Sequence, residues 1–377
     1  MRILIALDKF KGSMTAWEAG SALATALSRL MPNIEVDVCP IADGGEGTTE
    51  AIVMSLGGRF LNVPVIDAQG RDQMALFGLV THEEKTLAVM EMSAASGLAQ
   101  VLDLPLDPEK ASTFGTGQLI RHAIDAGAEK ILIGLGGSAT NDAGTGMARA
   151  LGWEFLDDAD LAITDLPAQM HRIAAIRRSR QALPEIVAAS DVTNPLCGPE
   201  GASFVYGPQK GVTDPADFDQ RLSHLARVVA SSLGTDPRAT PGAGAAGGLG
   251  YGLMVFAGAS ITSGFDLIAD LTGLPGRVAQ ADLVITGEGR LDAQTLHGKG
   301  PAGVATMARA QGKSVAGFGG GIERGVGLEA CFDLLVAIKP DEMPLEEAIR
   351  RGAGLIEESV EREANRIREW ITRASGH

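Results

Sequence analysis

At 377 residues, 45% of them hydrophobic, the chain is long enough for two domains with sizeable cores. Its 47 acidic residues outweigh 32 basic ones, giving a formal charge of −15; this argues against nucleic acid or an anionic membrane as the main partner and requires a local basic or amide-lined pocket for an anionic substrate. No apolar run approaches the roughly 18 residues of a membrane span, and the widely spaced Cys39, Cys197 and Cys331 fit a reducing cytoplasm better than a disulfide framework or a zinc site.

The chain opens on an aliphatic run over residues 2–7, too short for a signal peptide and charged at its end, which reads as a first strand. Thr15 and Glu18 then make a capping-box pattern ahead of helical spacing at Ala19, Leu23, Ala26, Leu27 and Leu30. A second strand over 34–39, a loop over 40–47 and a helix over Thr48–Leu56 repeat the unit. Next come strand-like runs at 63–66, 75–80 and 87–92 with no helix between them, which predicts an antiparallel or mixed sheet in a distinct middle domain. That domain adds a buried strand over 130–135, a helix from Ala143, a strand over 186–189, a helix near Pro215–Leu233 and a glycine-rich segment over 242–250 leading into an apolar helix. The opening rhythm returns with strands over 282–286, 314–318 and 333–338, a helix over 302–310 and an amphipathic helix over 345–371. The two chain ends are therefore expected to share one parallel sheet, residues 1–62 and 270–377 forming one discontinuous domain and 63–269 an inserted α/β domain.

Glycine-rich polar strings punctuate this pattern, several directly after a strand, where glycine lets backbone N–H groups close on a phosphate or carboxylate. Asp8-Lys9-Phe10-Lys11-Gly12-Ser13 joins a strand to a helix N-terminus, an anion site to which Lys11 adds full charge; an ordinary turn with solvated lysines has the same pattern. Asp43-Gly44-Gly45-Glu46-Gly47-Thr48 sets two carboxylates in a loop, fit to hold Mg²⁺ through water, to act as a base, or only to face a helix dipole. Gly136-Gly137-Ser138-Ala139-Thr140-Asn141-Asp142 offers hydroxyl, amide and carboxylate groups to a substrate or phosphate, although Ser138 and Thr140 also suit a turn and Asp142 an N-cap. Asp191, in Ser190-Asp191-Val192-Thr193-Asn194-Pro195, is the leading general-base or metal candidate, with an Asx-type turn at Asn194-Pro195 as the plainer reading. Thr286-Gly287-Glu288-Gly289-Arg290-Leu291-Asp292, followed by His297 and Lys299, mixes acids and cations in a way suited to magnesium–phosphate chemistry or to binding alone. The GxGxxG match at 242–247 has no clear strand before it and no acid at the fingerprint distance, and a P-loop is absent, so a nucleotide site of another type is expected.

Taken in order, the strings at 42–48, 136–142, 191–196, 207–211, 242–248, 285–290 and 298–301 resemble the bacterial class I glycerate kinase (glycerate 2-kinase) family from end to end. The resemblance implies a flavodoxin-like domain made from both chain ends, an inserted α/β domain and an active site in the cleft between them. It also implies phosphorylation of D-glycerate by ATP with Mg²⁺, at the 2-hydroxyl. Within that reading Asp191, Lys11, Asp43 and Glu288 are the catalytic candidates, with Asp43, Asp191 and Glu288 also the metal candidates. Asp8, Ser13, Gly44, Gly45, Glu46, Gly136, Gly137, Ser138, Asn141, Asp142, Asn194, Lys210, Arg290 and Lys299 are expected to bind substrate and phosphate. Phosphorylation at the 3-hydroxyl, a related small hydroxy acid, and a non-catalytic glycerate or nucleotide sensor are the competing readings. Two departures stand out: Lys9 replaces a serine usual in the family, and residues 164–170 replace a glycine triplet.

Overall fold

The computed structural model describes residues 1–297 and 300–375. Its strands in chain order are β1 (Arg2–Leu7), β2 (Glu35–Val38), β3 (Arg59–Ile66), β4 (Asp72–His82), β5 (Lys85–Glu91), β6 (Lys130–Gly134), β7 (Glu154–Leu156), β8 (Ala175–Arg177), β9 (Glu185–Ala189), β10 (Ser260–Thr262), β11 (Leu283–Leu291), β12 (Ser314–Ile322) and β13 (Leu334–Ala337). The chain divides into two compact units. The first comprises Met1–Asp43, Glu50–Ser55 and Phe265–His377, and the second Gly44–Thr49 and Leu56–Gly264.

The first unit is built on a sheet of order β2-β1-β11-β12-β13, in which every neighbouring pair is parallel. Both chain ends thus contribute to one sheet, in the 2-1-3-4-5 order of flavodoxin-like folds. Alternation along β1 sends Ile3, Ile5 and Leu7 to one face, packed with Leu23, Leu27, Ile356 and Ile367, and Leu4 and Ala6 to the other, packed with Phe265, Val304 and Ala308. Helices cover both faces, which is why these strands read as continuous apolar runs. The helix Ala16–Leu30 starts at the expected capping box: the Thr15 hydroxyl accepts from the Glu18 N–H, and the Glu18 carboxylate accepts from the Thr15 N–H. Such a cap contributes about 1 kcal/mol.

Two sequence expectations are corrected in this unit. β11 does not stop at Thr286; it continues to Leu291, still paired with β12 at Arg290↔Gly321 and Leu291↔Ile322, so most of the 286–292 string is strand, not loop. The helix expected over 345–371 is three helices, Leu345–Arg351, Ala353–Arg362 and Ala364–Ser375. The first break falls at Gly352, whose φ of +43° a side-chain-bearing residue rarely adopts.

The second unit carries a six-stranded sheet of order β3-β4-β5-β6-β9-β10 and a small β7–β8 pair. The β3-β4-β5 meander is antiparallel, as the consecutive alternating runs predict, and β5, β6, β9 and β10 continue it as a parallel array. Phe77, Met90, Ile131, Ile133 and Ile186 form its core with Leu119, Leu225 and Tyr251 from the helices Phe114–Asp125, Pro215–Leu233 and Ala245–Ala257. Among the described residues no helix is long and apolar enough to cross a membrane.

Candidate functional site

Open parallel sheets bind ligands beyond the carboxyl ends of their strands, where the strand order reverses. In the first unit that point lies between β1 and β11. Leu7 pairs with Gly287, and the Asp8 N–H donates to the Gly287 carbonyl at 2.8 Å, so the register sets Asp8 and Glu288 at the same rim. Asp8 is buried, and desolvation pushes its carboxyl up to about 6; Lys9 pulls it down, through its charge and through an N–H donated to Oδ1 at 2.6 Å, while the charge of Asp43 pushes it further up. Desolvation likewise pushes Glu288 up to about 7, opposed by a hydrogen bond from the Thr295 hydroxyl at 2.9 Å and assisted by the charges of Asp8 and Asp292. This rim therefore gathers negative charge at a place where burial disfavours it.

Hard carboxylate oxygens are the donors Mg²⁺ selects. Among the described residues no group of three or more His, Cys, Asp or Glu side chains is arranged to hold a metal ion. The electrostatically coupled Asp8, Asp43 and Glu288 therefore suit a Mg²⁺ that takes one or two protein carboxylates and completes its shell with phosphate oxygens and water, the usual mode for that ion. Of the three metal candidates, Asp43 and Glu288 belong to the first unit and Asp191 to the second. The other first-unit candidates have mixed settings. Lys11 is exposed, as is Asp43. Arg290 is exposed and lies 3.2 Å from Asp292 and 3.6 Å from Glu323. Ser13 donates its hydroxyl to the Ile349 carbonyl at 2.9 Å, tying the first loop to the C-terminal helices. Lys299 and the side chain of His297 lie outside the described residues.

In the second unit the carboxyl ends of β5, β6 and β9 meet the segment Gly44–Thr49. Gly44 has a φ of +88°, and a Cβ there would lie 2.7 Å from the Ala189 carbonyl oxygen, so only glycine permits this approach. The Gly44 carbonyl accepts from the Gly136 N–H at 3.3 Å, and Glu91, at the end of β5, accepts from the Thr49 N–H at 2.9 Å. Gly45 is half-buried here and Glu46 exposed.

The 136–142 loop leaves β6 and folds around Asp142. That carboxylate is fully buried and accepts from the Thr113 N–H and hydroxyl and from the Gly144 and Gly146 N–H groups, at 2.8–3.1 Å. Lys210, 2% exposed, donates from Nζ to the Ser138 hydroxyl at 2.7 Å and to the Thr140 carbonyl at 2.8 Å. Desolvation pulls this ammonium down to about 7, against the favourable charge of Asp142. Asn141 donates to Ser203 at 2.9 Å, while Asn141 Oδ1 and Thr140 Oγ1 are buried without a hydrogen-bond partner. Gly137 is exposed and Gly136 half-buried. Beyond β9, Asp191 is exposed and accepts from the Ser263 hydroxyl at 2.9 Å. Asn194 is engaged at both ends of its amide, accepting from the Tyr206 hydroxyl and donating to the Glu200 carbonyl, which marks it as a loop organiser.

Thr113, Ser203, Ser263, Glu91 and Thr295 are members of these networks that sequence reading did not single out. Each lies outside the glycine-rich strings, and only three-dimensional pairing joins it to them.

A doubly wound parallel sheet with acids at its switch point, accompanied by a second sheet with a polar loop at its parallel rim, is an α/β architecture whose strand ends carry the candidate residues. The chain belongs to the glycerate kinase family, whose model matches residues 3–368. It is 41% identical to a glycerate kinase of Bacillus subtilis (strain 168) over 368 residues, 96% of each chain. It is also 39% identical to a glycerate 2-kinase of Escherichia coli (strain K12) over 350 residues, 90% of this chain and 91% of that one. A crystal structure of a candidate glycerate kinase 2 from Salmonella typhimurium LT2 matches with a TM-score of 0.85 and 39% identity, covering 98% of both chains.

Proposed function

We propose that this protein transfers the terminal phosphoryl group of ATP to the 2-hydroxyl of D-glycerate, yielding 2-phosphoglycerate. The observation that carries the reading is the placement of Asp8 and Glu288 at one rim, the switch point of a parallel sheet, two carboxyls that burial holds near neutral pKa, with the charge of Asp43 adding to the push on Asp8 and that of Asp8 to the push on Glu288. A mere anion binder gains nothing from negative charge concentrated there, whereas a kinase needs carboxylates to receive the cation that accompanies its nucleotide. One or two of Asp8, Asp43 and Glu288 would hold Mg²⁺, which supplies charge neutralisation to the transferring phosphate. Lys11, on the loop after β1, adds a positive charge for phosphate oxygens. In the second unit the 136–142 loop binds the hydroxy acid, and Asp191, oriented by Ser263, accepts the proton of the attacking hydroxyl.

Phosphorus NMR of the reaction of D-glycerate with ATP and Mg²⁺ tests the proposal directly. The expected product resonance is that of 2-phosphoglycerate; 3-phosphoglycerate would overturn the regiochemistry, and no product would overturn the activity. Asp191→Asn is expected to lower kcat by about 10²–10⁴-fold, the usual contribution of a general base, with little change in the KM for glycerate. Unchanged turnover would remove Asp191 from the chemistry.

A further inference from the structure

Lys210 is the most deeply buried cation of the second unit's rim, and its ammonium group is spent on its own protein. Two of its three N–H donors go to the 136–142 loop, one to the Ser138 hydroxyl at 2.7 Å and one to the Thr140 carbonyl at 2.8 Å. It sits at the end of a short turn, Pro208–Lys210, with 2% of its surface exposed. Burying an ammonium group this completely is costly unless it is paired, and here the compensation is the two loop oxygens together with the charge of Asp142.

That arrangement has a chemical consequence for Ser138. A hydroxyl offers one proton and two lone pairs; with a lone pair committed to Lys210, its proton remains for an external acceptor. Ser138 keeps 8% exposure and follows the exposed Gly137. On the same loop, Thr140 Oγ1 and Asn141 Oδ1 are buried and lack partners, although buried polar atoms are nearly always paired in a finished structure. Hydroxyl donors with an amide acceptor complement a small hydroxy acid, whose carboxylate accepts and whose hydroxyl donates.

We propose that Lys210 is a positioning residue: it clamps Ser138 and the Thr140 carbonyl so that the 136–142 loop recognises the carboxylate of the hydroxy acid through Ser138. Lys210 itself does not touch the substrate. This inference rests on the kinase reading above and specifies which side chain that reading uses for carboxylate recognition.

The test is a double-mutant cycle on the full-length enzyme, with steady-state kinetics in D-glycerate and in ATP and a thermal melt of each variant. Loss of a hydrogen bond to a charged group corresponds to a roughly 10–100-fold change, so Ser138→Ala is expected to raise the KM for glycerate by about that factor while leaving the KM for ATP unchanged. Lys210→Met is expected to reproduce this split, and the double variant to be no worse than the more impaired single one, because both act through one hydroxyl. Fold-effects that multiply in the double variant, or a Lys210→Met variant impaired equally toward ATP, would overturn the positioning role. Should Lys210→Met fail to fold, Ser138→Ala still decides: a wild-type KM for glycerate in that variant overturns the proposal. Wild-type protein that phosphorylates no D-glycerate removes the kinase reading and this one with it, whereas active wild type with a multiplicative cycle removes this one alone.

Discussion

The rim acids of the first unit and the buried Asp142 of the second are all pushed up by burial, but they differ in how many hydrogen bonds the fold supplies to them. Asp142 receives four hydrogen bonds from its own protein, which oppose the upward push of its burial. Asp8 and Glu288 receive few, and neighbouring acids raise their proton affinity further, Asp43 that of Asp8 and Asp8 that of Glu288. An acid whose needs are met by the fold serves the fold; one left electrostatically uncomfortable is held for something that arrives later. Stability and activity should therefore respond in opposite directions to neutralising the two.

The largest effect is expected at the satisfied acid. Asp142→Asn replaces an acceptor-only group with one whose amide hydrogens confront N–H and O–H donors, and it strips Lys210 of a counter-charge. Leaving buried donors without an acceptor typically costs about 1–3 kcal/mol each. Urea unfolding should show that loss, and a variant within 1 kcal/mol of wild type, on the order of an ordinary surface substitution, would mean that Asp142 is not the loop's anchor. The opposite outcome is expected at the rim. Glu288→Gln removes a charge the fold disfavours, so at pH 8 it should stabilise the protein by about 1–2 kcal/mol, once its shift is discounted for solvent screening, while lowering turnover with Mg·ATP about 10–100-fold. A variant that loses both stability and activity would place Glu288 with Asp142 as a structural acid.

How legible this contrast was in the sequence depends on what made each residue visible. The parallel sheet of the chain ends and the mixed middle sheet follow from the alternation of strand and helix patterns, and that part of the fold could be read directly. Strand ends were less legible, because Gly287 and Gly289 look like loop punctuation although β11 runs through them. Helix 345–371 was read as one piece because its apolar spacing carries across Gly352. At the sites, spacing drew attention to Asp8, Asp142 and Glu288 alike and could not separate them. The difference lies in Thr113, Gly144, Gly146 and Thr295, distant or unremarkable in sequence, whose donors satisfy one acid fully and another only once. Hydrogen-bond supply is a property of the folded chain.

The contrast also has a pH signature. Asp8 and Glu288 have folded-state pKa values of about 6 and about 7, above their ordinary 3.8 and 4.5. Between those limits the folded protein holds more protons than the unfolded one, so their contribution to stability is intact below about pH 4 and lost as pH rises toward 7. Lys210 is shifted down, from 10.5 to about 7, so the unfolded chain holds the extra proton between those values and stability rises with pH across that range. The protein without Mg²⁺ should then have a shallow stability minimum near neutrality. Added Mg²⁺ should raise stability on the alkaline side of Glu288's pKa and do little near pH 5, because bound metal displaces protons from its ligands. Melting temperature against pH, with and without Mg²⁺, measures both limbs, and a Mg²⁺ effect independent of pH would detach these acids from the ion.

The smallest and most diagnostic change is Thr295→Val. The Thr295 hydroxyl donates to Glu288 Oε1 at 2.9 Å and is the main influence holding that carboxyl down against burial. Deleting it should raise the Glu288 pKa by under about one unit, since one neutral hydrogen bond contributes on the order of 1 kcal/mol. The acid limb of kcat/KM at limiting Mg²⁺ should move to higher pH by the same amount, with the alkaline plateau unchanged. The substitution keeps the shape of the side chain, so a plateau that falls instead would mean that Thr295 contacts a ligand itself, and an unmoved limb would mean that Glu288 is not the group whose ionisation admits the metal.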